Sequence, residues 1–261
     1  MAKSKKKIVA FSGKGGVGKT TTLALFLKYL LEKNSREILV IDSDPDANIG
    51  DVIGKEIKFD QTLASKMNQM KEKIRNREIP LEMPKNQIIE GEVFETLIEM
   101  DKFDIMEMGR QEGEGCYCFI NNVLKNVIDT ISENYEITLI DSPAGLEHFS
   151  RKTGRDVTDL IIVTDPSKMG IHTMKRIVEL TYEVNLKFQN IWVIGNRFPE
   201  SLKEALKKEV ESLSEDNVKL LGFIPDGSAI GEYNFLGKSL LEMPEDDPTY
   251  QQAKQIFERI L

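Results

Sequence analysis

Gly13, Gly18, Lys19 and Thr20 fall in the spacing G-x-x-x-x-G-K-[ST], inside the run Ser12-Gly13-Lys14-Gly15-Gly16-Val17-Gly18-Lys19-Thr20-Thr21. Glycines let the backbone curl until successive N–H groups point at phosphate oxygens, and a helix starting there adds its positive end. Lys19 then reaches the terminal phosphates and the Thr20 hydroxyl can hold Mg²⁺. Gly13, Gly15, Gly16, Val17, Gly18, Lys19, Thr20 and Thr21 are therefore candidate ligands of a nucleoside triphosphate. The same residues satisfy G-x-G-x-x-G at Gly13, Gly15 and Gly18, with Asp42 downstream as a candidate ribose-binding acid. The Lys19-Thr20 pair decides between the two readings: it serves a triphosphate with Mg²⁺ and has no task in a nicotinamide site.

Two further stations carry carboxylates. Asp42-Ser43-Asp44-Pro45-Asp46 closes the apolar run Ile38–Ile41, and three acids this close repel one another unless a cation or a polarised water lies among them. Ile137–Ile140 leads into Asp141-Ser142-Pro143-Ala144-Gly145, a hydrophobic segment delivering one carboxylate to its end, as expected of an Mg²⁺-directed acid. Gly145 begins a segment whose movement would report the γ-phosphate. The guanine-reading Asn-Lys-x-Asp pattern is absent where Asn196-Arg197-Phe198-Pro199 stands, which favours ATP over GTP.

The chain has two cysteines, Cys116 and Cys118, too few for a disulfide framework. In an extended segment residues two apart face the same side, so both thiolates can approach one ion, yet they fill only half of a tetrahedral shell. A two-fold dimer would supply the other half, giving a four-sulfur site suited to Zn²⁺ or Ni²⁺. The alternative is a pair of buried cysteines acting as small hydrophobes.

These stations need elements to hold them. Apolar runs at Ile8–Phe11, Ile38–Ile41, Phe103–Met106, Ile137–Ile140, Leu160–Val163, Ile191–Ile194 and Leu220–Ile224 alternate with helical stretches such as 19–32, 168–187 and 201–213. That pattern predicts an α/β fold: a doubly wound, mostly parallel sheet of about seven strands with helices on both faces. A single P-loop NTPase domain over 1–261 is expected, with a helical insertion around 55–100, where the pattern weakens about Pro80 and Pro84. Of the 261 residues 40% are hydrophobic and 30% charged, with a formal charge of −8, which is ordinary for a globular protein and offers no basic field for nucleic acid. No apolar run approaches a membrane span and no secretory signal opens the chain, so a cytoplasmic protein is expected. Tyr250, Ala253, Ile256, Phe257 and Ile260 recur at helical spacing; core packing explains them better than membrane targeting, because the polar face is weakly basic.

Lys14-Gly15-Gly16-Val17-Gly18-Lys19-Thr20 resembles the deviant Walker A motif of the ATPases that include the MinD and ParA proteins and the nitrogenase iron protein. The resemblance implies two subunits closing face to face over two ATP molecules, with Lys14 reaching the partner's phosphates. It implies that Asp44 positions the attacking water, that Asp42 lies near Mg²⁺ with Thr20 and Asp141, and that Asn196 contacts adenine beside Pro225 and Asp226. Within the class, Met108-Gly109, Gly115-Cys116-Tyr117-Cys118, the Asp44-Pro45-Asp46 switch and Gly145-Leu146-Glu147-His148 are similar to the nickel-insertion ATPases of the CooC family. That similarity implies an ATP-dependent homodimer binding Ni or Zn for a client nickel enzyme such as carbon monoxide dehydrogenase or acetyl-CoA synthase. The alternatives are a MinD/ParA-like positioning ATPase and an iron–sulfur redox partner. The iron protein completes its cluster with a cysteine after the second switch; His148 stands there instead, which argues against a reductase of that design.

Overall fold

The computed structural model describes residues 6–33, 35, 37–46, 48–76, 78, 85–110, 117–146, 149, 157–186, 188–213 and 217–260. Among them the chain alternates strand β1 (Lys7–Ser12), helix α1 (Lys19–Glu32), β2 (Ile38–Asp42) and the short α2 (Ile49–Ile53). Helices α3 (Leu63–Arg75) and α4 (Lys85–Phe94) follow and lead through β3 (Ile98–Glu99) into β4 (Phe103–Glu107). Then come α5 (Tyr117–Thr130), β5 (Ile137–Asp141), β6 (Val157–Thr164), α6 (Lys168–Glu183), β7 (Asn190–Asn196), α7 (Glu200–Glu211), β8 (Val218–Ile224), α8 (Ser228–Phe235) and α9 (Pro248–Phe257).

Every expected strand is present, and an eighth, β3, joins them. The sheet order is β3-β4-β2-β5-β1-β6-β7-β8, parallel throughout except for the β3–β4 edge pair. Two residues carry no readable alternation, so β3 left no mark in the apolar pattern. Val9, Ala10 and Phe11 of β1 are wholly buried, as are Leu39, Val40 and Ile41 of β2, because helices cover both faces of these strands. One face packs Leu23, Phe26 and Leu27 of α1 against Tyr250 and Phe257 of α9, with the Phe26 and Phe257 ring centroids 5.0 Å apart. The other packs Met67 and Met70 of α3, Leu124 and Ile128 of α5, and Met174 and Ile177 of α6. The apolar side of α9 is thus spent on the core, at about 1.5–3 kcal/mol per large side chain removed from water.

From β1 the sheet grows outward through β5, β2 and β4 on one side and β6, β7 and β8 on the other. This reversal of direction leaves a crevice at the carboxyl ends of the central strands, where ligands of open α/β sheets bind.

Candidate nucleotide and switch site

The glycine loop leaves β1 into that crevice. Gly13 has φ +150° and a Cβ there would lie 2.2 Å from the Val163 carbonyl oxygen at the end of β6. Gly18 has φ +93°, and its Cβ would lie 2.4 Å from Asn196 Nδ2 at the end of β7. Side chains are excluded at both positions because backbone and neighbouring strand ends occupy the space. Gly18 opens α1 without a capping side chain, and no acid sits in the first turn, so the positive helix end is left for an anion. Lys19 is buried beside it, whereas Gly15 and Gly16 are exposed and Lys14 is half-buried.

Outward-facing loop carbonyls are held by side chains from β7. Asn196 Nδ2 donates to Val17 O at 2.7 Å, and Arg197 Nη2 donates to Gly16 O at 2.6 Å. The Gly18 carbonyl accepts from both the backbone N–H and the hydroxyl of Thr22.

Beside the loop the register aligns Asp42 with Asp141 on one neighbour and with Glu107 on the other, forming a row of three acids along the carboxyl ends of β4, β2 and β5. All three are buried. Burial pushes Asp42 and Asp141 above the usual carboxylate range and Glu107 up to about 7. For Asp42, backbone N–H donors pull the other way: Asp44 donates to Oδ1 at 2.9 Å, and Asn48 and Ile49 donate to Oδ2 at 2.9 and 3.0 Å. Asp42 therefore shapes the turn that carries Asp44, which is half-buried and accepts from the Asp46 N–H at 3.1 Å. Thr20 Oγ1 donates to Asp141 Oδ2, while Asp141 Oδ1 is buried with no hydrogen-bond partner.

An orphaned, buried carboxylate oxygen is costly, and a hydroxyl beside it completes an oxygen donor set that suits Mg²⁺. Thr20 and Asp141 would hold the cation together with the nucleotide's own phosphates. Among the described residues no group of three or more His, Cys, Asp and Glu is placed to bind a metal ion by itself.

A cavity of about 180 Å³ adjoins the loop and is lined by Asn196, Pro225 and Asp226 together with Thr21, Ile230 and Asn234. It suits a flat base. A larger cavity of about 600 Å³, lined in part by Ile38, Phe103 and Tyr135, lies at the amino ends of β2 and β4, away from the phosphate loop.

Glu107, Arg197 and the α8 residues Ile230 and Asn234 were not among the residues singled out by sequence. No local motif marks them; only strand order and register bring them to the site.

The end of β4 is stitched to the Asp42 turn. Met108 N donates to Asp42 O at 2.8 Å, Glu107 Oε1 accepts from Gly50 N at 3.1 Å, and Arg110 pairs with Asp46. Cys118 follows as the second residue of α5, so its backbone is helical and the expectation of an extended C-x-C is corrected at that position. Residues two apart on a helix diverge rather than share a face, so convergence on one ion depends on how the chain enters α5. Cys116, His148, Met83, Pro80 and Pro84 lie outside the described residues.

The AAA-domain family model, AAA_31, matches residues 5–193. An uncharacterized ATP-binding protein of Methanocaldococcus jannaschii, MJ0685, is 38% identical over 254 residues, covering 97% of this chain and 98% of the relative. The carbon monoxide dehydrogenase accessory protein CooC of Rhodospirillum rubrum is 28% identical over 246 residues, covering 90% and 89%. Among solved structures, a ParA family ATPase from Chlorobium tepidum superposes with a TM-score of 0.72 at 16% identity over 99% of this chain and 100% of that one. The chain belongs to the AAA_31 family and is a P-loop ATPase with the fold of the solved ParA family ATPase.

Proposed function

We propose that this ATPase is a metallochaperone that binds a thiophilic ion, Ni²⁺ or Zn²⁺, through Cys116 and Cys118 of two subunits and delivers it to a nickel enzyme. The observation that carries the reading is the position of the C-x-C pair. It follows β4, whose last residues are bonded to Asp42, Asp46 and Gly50 in the turn that the γ-phosphate is expected to move. A change at that turn would pass through these bonds to the end of β4 and on along the chain to the cysteines. The similarity to CooC, named as an accessory protein of carbon monoxide dehydrogenase, supports the client class.

In this reading Lys19 holds the terminal phosphates, and Asn196, Pro225 and Asp226 border the base. Thr20 and Asp141 would hold Mg²⁺ with the phosphates, and the ion would supply positive charge against the phosphoryl group being transferred. Asp42 fixes the turn, Asp44 orients the attacking water, and Lys14 reaches the nucleotide of the second subunit as the dimer closes. The cargo ion then sits between subunits and is released when hydrolysis reopens them. The apolar residues Tyr250, Ala253 and Phe257 of α9 are fully buried in the core and so do not form a free membrane-facing stripe.

Zinc and nickel titrations of wild type, Cys116→Ser and Cys118→Ser, each with a hydrolysis-resistant ATP analogue, test the proposal. Each substitution removes two ligands from a two-fold site and is expected to abolish tight binding while nucleotide affinity survives. Undiminished metal binding in both variants would overturn it.

A further inference from the structure

Arg197 is one of three non-glycine residues with positive φ among the described residues, at +58°. A long side chain in the left-handed region is strained, and persists where surrounding contacts hold it. Two contacts do so. The Arg197 N–H donates to the Ile224 carbonyl at 2.9 Å, extending the β7–β8 ladder past its last paired residues, and the guanidinium reaches back to Gly16 O at 2.6 Å. Directly before it, Asn196 donates to Val17 O. The end of β7 therefore grips two consecutive carbonyls of the phosphate loop.

A loop that turns its N–H groups toward phosphate must turn carbonyls outward, where they need donors of their own. A charged donor makes the stronger bond and polarises the peptide unit that accepts it, which strengthens the donor at the other end of that unit. For Gly16 O the other end is the Val17 N–H, whose internal bond to Lys14 O is long, at 3.4 Å.

We propose that Arg197 is a positioning residue of the ATPase: its guanidinium sets and polarises the Gly16–Val17 peptide so that the Val17 N–H is presented to nucleotide phosphate. The left-handed backbone aims the side chain at the loop. This role rests on the ATPase site alone and stands apart from any metal cargo.

Arg197→Gly keeps the backbone conformation and deletes the guanidinium, Arg197→Asn tolerates the same φ, and Arg197→Lys restores a cation. Calorimetric titration with ADP, Mg-ATP analogue and adenosine separates the cradle from the base cavity, which Arg197 also borders. Gly and Asn are expected to weaken ADP and the analogue by a similar factor, about three- to tenfold, as befits one exposed charge-assisted hydrogen bond. Adenosine affinity and the thermal midpoint of the nucleotide-free protein should stay at wild-type values, and Lys should recover part of the loss. Unchanged ADP affinity in Arg197→Gly would overturn the proposal. So would an equal loss for adenosine, which would place the side chain on the base, and so would a loss confined to the triphosphate, which would place it on the γ-phosphate.

Discussion

The phosphate loop and the end of β4 sit a few strands apart on the same sheet edge, yet they are held very differently. The loop is pinned by backbone and buried groups: Val163 O leaves no room for a Cβ at Gly13, Asn196 leaves none at Gly18, and Asp141 is buried at its side. Beyond Met108 the connection to the Asp42 turn passes to the Arg110–Asp46 ion pair, whose side chains are 71% and 64% exposed. The phosphate loop is thus set by buried contacts within one chain. In the proposed function the metal region is tied to the nucleotide in part through that exposed pair, and a second subunit would complete its ligand shell.

The largest effects should fall on the rigid side. Lys19→Ala removes a buried cation from the phosphates and should lower Mg-ATP affinity by about 100-fold or more in a nucleotide titration. Asp44→Asn should leave affinity near wild type and slow single-turnover hydrolysis by about 100-fold, since it alters water orientation rather than the cradle. Equal loss of binding in both would remove Asp44 from its role. Next, Lys14→Ala should retain nucleotide in the monomer and lose dimerisation with a hydrolysis-resistant analogue, as read by mass in solution; a normal dimer would mean this lysine does not cross to the partner.

Legibility in the sequence divides along similar lines. Lys19, Thr20, Asp42 and Asp141 were readable because each lies in a contiguous motif at the end of an apolar run. The parallel sheet was readable because strands covered on both faces are apolar throughout. Glu107 was not: it becomes part of the acid row only because β4 pairs with β2 in a register that sets it opposite Asp42. Arg197 gave no signal either, since its partner is a loop carbonyl remote in sequence. At Cys118 the helical start of α5 at Tyr117 replaces the extended reading, and the apolar spacing of that helix through Val123, Leu124 and Ile128 serves the core.

The acid row supplies a smaller, pH-dependent effect. With its carboxyl raised from 4.5 to about 7, Glu107 keeps a proton in the folded chain that the unfolded chain has lost. The native state binds more protons in that window, so stability without Mg-nucleotide should fall as pH rises from about 4.5 to 7. Glu107→Gln keeps an acceptor for the Gly50 N–H and cannot titrate. Denaturant midpoints at pH 5 and 7.5 should show its pH dependence reduced by an amount on the order of 1 kcal/mol; an unchanged slope would mean that Glu107 stays ionised when buried. Smallest of all, Arg110→Ala should cost at most about 1 kcal/mol of stability, as exposed ion pairs do, and a much larger loss would show the two regions to be equally rigid.

In the proposed function one cargo ion is shared between two subunits. X-ray absorption at the zinc or nickel edge, on protein loaded in the presence of a hydrolysis-resistant ATP analogue and with metal and chain counted in the same sample, tests it most directly. One ion per two chains, surrounded by four sulfurs at about 2.3 Å for zinc, is expected. One ion per chain, or a shell of nitrogen and oxygen, would contradict it.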